Sequence, residues 1–128
     1  MKSFTVLSHN KIREYVKEGE GPTLEFKEQI TEPYKVAKTI CAFANTKGGV
    51  LISGITDDGQ IVGVIEPDKE KERIAEAALR FCYPPVDLVF WEYTEDFLTV
   101  IAACIEESSQ KPHKAMLKNG QEQVYIRT

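Results

Sequence analysis

The stretch Tyr34-Lys35-Val36-Ala37-Lys38-Thr39-Ile40-Cys41-Ala42-Phe43-Ala44-Asn45-Thr46-Lys47-Gly48-Gly49-Val50-Leu51-Ile52-Ser53-Gly54-Ile55 decides the fold class. Val36, Ala37, Ile40, Cys41, Phe43 and Ala44 recur at helical spacing, so an amphipathic helix runs from Tyr34 to about Asn45 and Lys47-Gly48-Gly49 stops it. Val50 to Ile55 is a short, nearly continuous apolar run, the pattern of a central strand covered on both faces. A helix that passes through two glycines into a buried strand calls for a helical layer packed on a sheet.

Working outward, Thr23-Leu24-Glu25-Phe26-Lys27 alternates strictly, which gives a half-buried strand with Thr23, Glu25 and Lys27 on its polar face. Before it, Ser8 or Asn10 caps a short helix in which Ile12, Tyr15 and Val16 share one side, and Gly19 ends it. After the central strand, Asp57-Asp58-Gly59 reads as a hairpin turn and Gln60 to Ile65 as an antiparallel return strand. Pro67 and Asp68 open another helix, with Ile74, Ala75, Ala78 and Leu79 as its buried stripe, and Pro84-Pro85 closes it. Strands follow at Val86 to Tyr93 and Phe97 to Ile105, joined at Thr94-Glu95-Asp96, and a last strand at Gln123 to Arg127. Glu106 to Asn119 reads as irregular. The expected class is α+β, a two-layer α/β sandwich in which a mixed, mostly antiparallel sheet is packed by two or three helices.

The length of 128 residues fits one domain spanning the chain, and 42% hydrophobic with 28% charged residues excludes disordered, collagen-like and membrane classes. Sixteen basic against 20 acidic residues give a net charge of −4, so bulk charge does not coat nucleic acid and any such site must be local. Acidity concentrates in the middle of the chain, leaving both ends slightly basic. Cys41, Cys82 and Cys104 are odd in number and widely spaced, which argues against a disulfide framework or zinc cluster and for a reducing, cytoplasmic setting. The first twenty residues are too interrupted by charge for a signal peptide or membrane span, so no membrane partner is expected.

Lys47-Gly48-Gly49 follows a helix and precedes a strand, the reverse of a phosphate-binding loop, so no ATP site is expected. Glu20, Glu25 and Asp57 lie in or beside two segments that read as neighbouring strands. Three carboxylates converging there would hold Mg²⁺ or Mn²⁺, with Lys27 placed to meet a phosphate; the bland alternative is a solvated strand face, a loop and an Asp-Gly turn. His113, between Lys111 and Lys114, reads as an exposed loop residue or a phosphate contact rather than a general base. Tyr125 and Arg127 offer a stacking face and a phosphate contact, and Phe90-Trp91-Glu92-Tyr93 fits a dimer contact or the monomer core equally.

Taken in order, Gly19-Glu20, Leu24-Glu25-Phe26-Lys27, Ala42 to Gly49, Leu51 to Ile55, Asp57-Asp58-Gly59, Val62-Gly63-Val64, Lys111-Pro112-His113 and Tyr125-Ile126-Arg127 resemble the Schlafen-type AlbA-like domain, from about Gly19 to Arg127. The resemblance implies a two-layer α/β fold, nucleic-acid binding and a place in bacterial transcriptional regulators. Animal Schlafen proteins that cut tRNA or rRNA use three acidic residues that match Glu20, Glu25 and Asp57, with an associated lysine matching Lys27. The leading expectation is a nucleic-acid-binding module, the DNA-binding or sensing part of a regulator, contacting DNA or RNA through Lys27, Lys111, His113, Lys114 and Arg127. The alternatives are a Mg²⁺- or Mn²⁺-dependent endoribonuclease with Glu20, Glu25, Lys27 and Asp57 as its catalytic set, and a protein-interaction domain. Because the animal relatives pair two such lobes, a twofold homodimer is also expected.

Overall fold

The computed structural model describes residues 9–128. Proline lacks an N–H and tolerates the first helical turn, and helix α2 (Pro33–Ala44) begins on Pro33. It ends as the Gly48 N–H turns back onto the Phe43 carbonyl at 2.8 Å, with Gly48 at φ +78°. A Cβ at Gly48 would sit 2.6 Å from the Ile105 carbonyl oxygen, so only glycine lets the chain pass this close to its neighbour.

The chain then enters β2 (Gly49–Ser53), which pairs in parallel with β1 (Leu24–Lys27), Leu24 opposite Val50. On its other side β2 pairs antiparallel with β5 (Leu98–Ile105), and β5 with β4 (Val89–Glu95), giving the order β1-β2-β5-β4. Alternation along β2 sends Leu51 into a core with Ile40 and Phe43 of α2, Ile74 and Ala77 of α3 (Pro67–Arg80), and Ile101 and Ala103. Ile52 goes the other way, to Leu24, Phe26, Val100, Ala102 and Ile12 of α1 (His9–Glu18). The central strand is thus covered on both faces, by the α2 and α3 layer and by α1. Among the described residues no helix is long and apolar enough to cross a membrane.

The expected return strand at Gln60 to Ile65 does not form; a single bridge between Ile55 and Ile61 is all that remains of the hairpin. Both edges of β2 are already occupied by β1 and β5, so no place is left for a third neighbour. Instead Val62 and Gly63 both donate to the Gly54 carbonyl, and Val64 donates to Thr99 at 2.8 Å. Helix α3 buries Glu70, Ile74, Ala77 and Ala78, whereas Ala75 is exposed and Leu79 is 63% exposed. The stripe is rotated from the expected one because Glu70 belongs to it: its carboxylate accepts the Ile30 N–H at 2.8 Å and faces Arg73 Nη1 at 3.4 Å.

The hairpin of β4 and β5 turns at Asp96 and Phe97, both at positive φ, one residue later than expected, while Thr94 and Glu95 stay in the ladder. Phe90 packs on the α2 and α3 core, Trp91 and Tyr93 on the α1 side. The segment read as irregular contains β6 (Lys114–Met116), centre of a second sheet with β3 (Cys82–Tyr83) and β7 (Glu122–Val124). The last strand stops at Val124, short of the expected Arg127, and the Tyr125 carbonyl beyond it accepts from Asn45 Nδ2. Ser8 lies outside the described residues.

Candidate nucleic-acid interface

Residue alternation in β1 turns Glu25 and Lys27 toward α2. Glu25 Oε2 accepts from Thr39 Oγ1 of α2 at 3.0 Å and lies 3.4 Å from Lys27 Nζ, while Arg127 Nη1 donates to Oε1. Burial by itself would raise the Glu25 pKa; the Arg127 hydrogen bond, the Lys27 charge and the Thr39 hydroxyl outweigh it and leave the group below the usual carboxylate value. Arg127 also donates to the Gly21 and Leu24 carbonyls, each at 3.0 Å, and lies over the Phe43 ring at 4.8 Å. This guanidinium seals the outer edge of β1.

Glu20 accepts the Phe26 N–H at 3.0 Å, again along that edge. Asp57 is exposed in a turn held by the Gln60 N–H to Thr56 Oγ1 at 2.9 Å and by a bond from Thr56 Oγ1 to Asp58. That turn packs beside α1, since a Cβ on Gly59 would meet Val16 at 3.3 Å, whereas Glu25 faces α2 on the other side of the sheet. Among the described residues no three His, Cys, Asp or Glu side chains gather in a group fit for a metal ion. Glu20, Glu25 and Asp57 form no such group.

His113 was expected at the surface of a loop, and it is 1% exposed. Its Nδ1 lies 2.6 Å from the Pro84 carbonyl, which can only accept, so Nδ1 donates this bond. Nε2 shares a hydrogen bond with the Ser108 hydroxyl across 2.6 Å. Ser108 Oγ accepts in turn from the Gln110 N–H at 2.9 Å. His113 thus ties the 106–113 loop to Pro84, just after β3, beside a cavity of about 360 Å³ lined by Asp87, Glu106 and Glu107 among others. Lys111 pairs with Glu107, and Lys114 is exposed on β6.

A different set of basic residues comes together on the outer side of α2. Tyr34 and Lys38 are one turn apart and share that side. Lys118, from the turn after β6, lies over the Tyr34 ring at 5.6 Å, and Lys38 lies over the Tyr125 ring at 5.9 Å. Glu32 bounds the row: it accepts from the Tyr34 hydroxyl at 2.9 Å and pairs with Lys35 at 3.2 Å, which hold its pKa down and raise that of Lys35. Asn45 fixes the far end. Its Nδ2 donates to the carbonyls of His113 and Tyr125, both at 2.9 Å, and its Oδ1 accepts the His113 N–H at 2.7 Å. The lysines of residues 111–118, Lys118 among them, read as favouring a phosphate groove, whereas Lys38, Tyr34 and Asn45 do not stand out as site residues; only the spacing of Tyr34 and Lys38 on a helix is visible, and their partners lie some 80 positions away.

A protein-family model described as Schlafen, AlbA_2 matches residues 20–128. The chain belongs to that family. Among solved structures, the Schlafen AlbA_2 chain is similar to the N-terminal domain of a RecG-related protein from Nitrosomonas europaea, with 23% identity, TM-score 0.67, and coverage of 91% of this chain and 89% of that one. It is similar also to the DIP2311 protein of Corynebacterium diphtheriae, with 18% identity, TM-score 0.56, and coverage of 88% of this chain and 24% of that one. These likenesses show the two-layer α/β fold. No curated protein matches the sequence.

Proposed function

We propose that this Schlafen AlbA_2 domain is a nucleic-acid-binding module whose phosphate contacts are Lys38 and Lys118. The observation that carries the reading is the row Lys118, Tyr34, Lys38, Tyr125, in which two ammonium groups stand on one face of a chain of net charge −4. Among the described residues neither lysine is in a salt bridge, so a phosphate can take either without displacing a bound carboxylate. Lys27, Lys111 and Arg127, by contrast, are engaged with Glu25 or Glu107. The family and the Nitrosomonas europaea neighbour, named as related to the DNA helicase RecG, agree with this reading. In a bacterial regulator such a module supplies the part that contacts or senses nucleic acid.

Fluorescence anisotropy with a labelled mixed-sequence oligonucleotide tests it. Binding is expected to weaken with salt, and the pair Lys38→Ala with Lys118→Ala should reduce the slope of log affinity against log salt by roughly 1.5 to 2 units. Lys71→Ala, which removes a lysine paired with Glu92 on another surface, should leave binding as it is. Absence of binding, or equal losses in the two variants, contradicts the proposal.

A further inference from the structure

The same row of residues says which form of nucleic acid it suits, an inference that rests on the binding reading above. A cation attracted to an aromatic ring sits over the ring's face, so the ammonium groups of Lys118 and Lys38 mark the outward π faces of Tyr34 and Tyr125. Both rings are half-buried, with one part anchored and one part facing outward. Tyr34 is oriented by its hydroxyl bond to Glu32 at 2.9 Å, and Tyr125 packs on the core while Asn45 holds its carbonyl at 2.9 Å. Two flat apolar faces are therefore held ready, each under a flexible charged tip.

We propose that these two tyrosines are stacking platforms for unpaired bases, and that the domain prefers single-stranded nucleic acid to duplex. As a strand arrives, each ammonium moves from the ring to a phosphate, and the uncovered face receives a base. The exchange is favourable because an exposed cation–π contact is weaker than base–aromatic stacking, and the lysine gains a phosphate partner as it leaves. Bases of a duplex are stacked on one another and cannot reach the rings, whereas backbone charge alone would serve a duplex at least as well. Stacking reads π faces rather than base edges, so little sequence preference follows.

The test measures binding of a labelled single strand and of its duplex to the wild-type chain and to Tyr34→Leu, Tyr125→Leu, Tyr34→Phe and Tyr125→Phe, with thermal melting to confirm folding. Tyr34 lies in the first turn of α2, so its variants test the idea even if Tyr125→Leu disturbs the core. The expected result is tighter binding of the single strand, a loss of roughly 5- to 150-fold in each Leu variant with the salt slope unchanged, and retention in the Phe variants. Equal affinity for strand and duplex, or Leu variants that bind the strand like wild type, overturns the stacking proposal while leaving the lysine contacts standing. Failure to bind either form overturns both.

Discussion

Glu25 is held by Arg127, Thr39 and Lys27, so its charge stabilises the join between β1 and the end of the chain. Glu25→Gln should cost about 1–3 kcal/mol at neutral pH, the scale of a charge-assisted hydrogen bond, as measured by urea unfolding. Because the folded pKa is lowered from 4.5, the charged group's contribution is complete above about 4.5 and is lost as pH falls through the lower folded value. The stability gap between wild type and Glu25→Gln should accordingly close on acidification and stay constant from pH 6 to 8. His113 carries a comparable structural load: His113→Ala leaves the Pro84 carbonyl and Ser108 without their partner and should cost about 2–4 kcal/mol, more than Ser108→Ala. The thiols are structural too, since burial pushes the Cys104 pKa up to about 11, while a hydrogen bond with the free Cys41 thiol and then burial raise that of Cys82. Alkylation at neutral pH should be slow until the chain unfolds.

Helix α2 and strand β2 were legible because their apolar periods and the two glycines are local signals. The return strand after Asp57 was misread because its fate depends on β5, which occupies the second edge of β2 from some 50 residues away. Strands β3 and β6 are two and three residues long, too short for alternation to show, and β6 exists because Lys114 to Met116 finds Cys82 and Tyr83 beside it. In the site, the resemblance drew attention to Glu25 and Arg127, which do meet, but spacing said nothing about their pairing with each other. Tyr125 was legible as a stacking face, but the pairing of lysines with tyrosines was not, for the same reason: α2 supplies half of the row, and the segments after β6 and β7 the rest. Asn45 joins these elements, so Asn45→Ala should cost about 2–3 kcal/mol. Hydrogen exchange should then rise around residue 113 and over 125–127 more than in the strands of the main sheet.

At the scale of the whole molecule, a net charge of −4 repels phosphate, and binding depends on where the exceptions to that charge are placed. Most cations are matched locally: Arg13 with Glu95, Lys71 with Glu92, Lys111 with Glu107, Arg127 with Glu25. The α2 face combines Lys38 and Lys118, which among the described residues are in no salt bridge, with aromatic surface. Affinity should therefore be modest and fall steeply with salt. Amide chemical shifts of the isotope-labelled protein, followed while an unlabelled single-stranded oligonucleotide is added, test the central claim most directly. The account predicts perturbations clustered at residues 34–38, 114–118 and 124–126, with α1 and the β4–β5 turn unmoved; shifts centred on the Asp57 turn or on α1, or none at all, would contradict it.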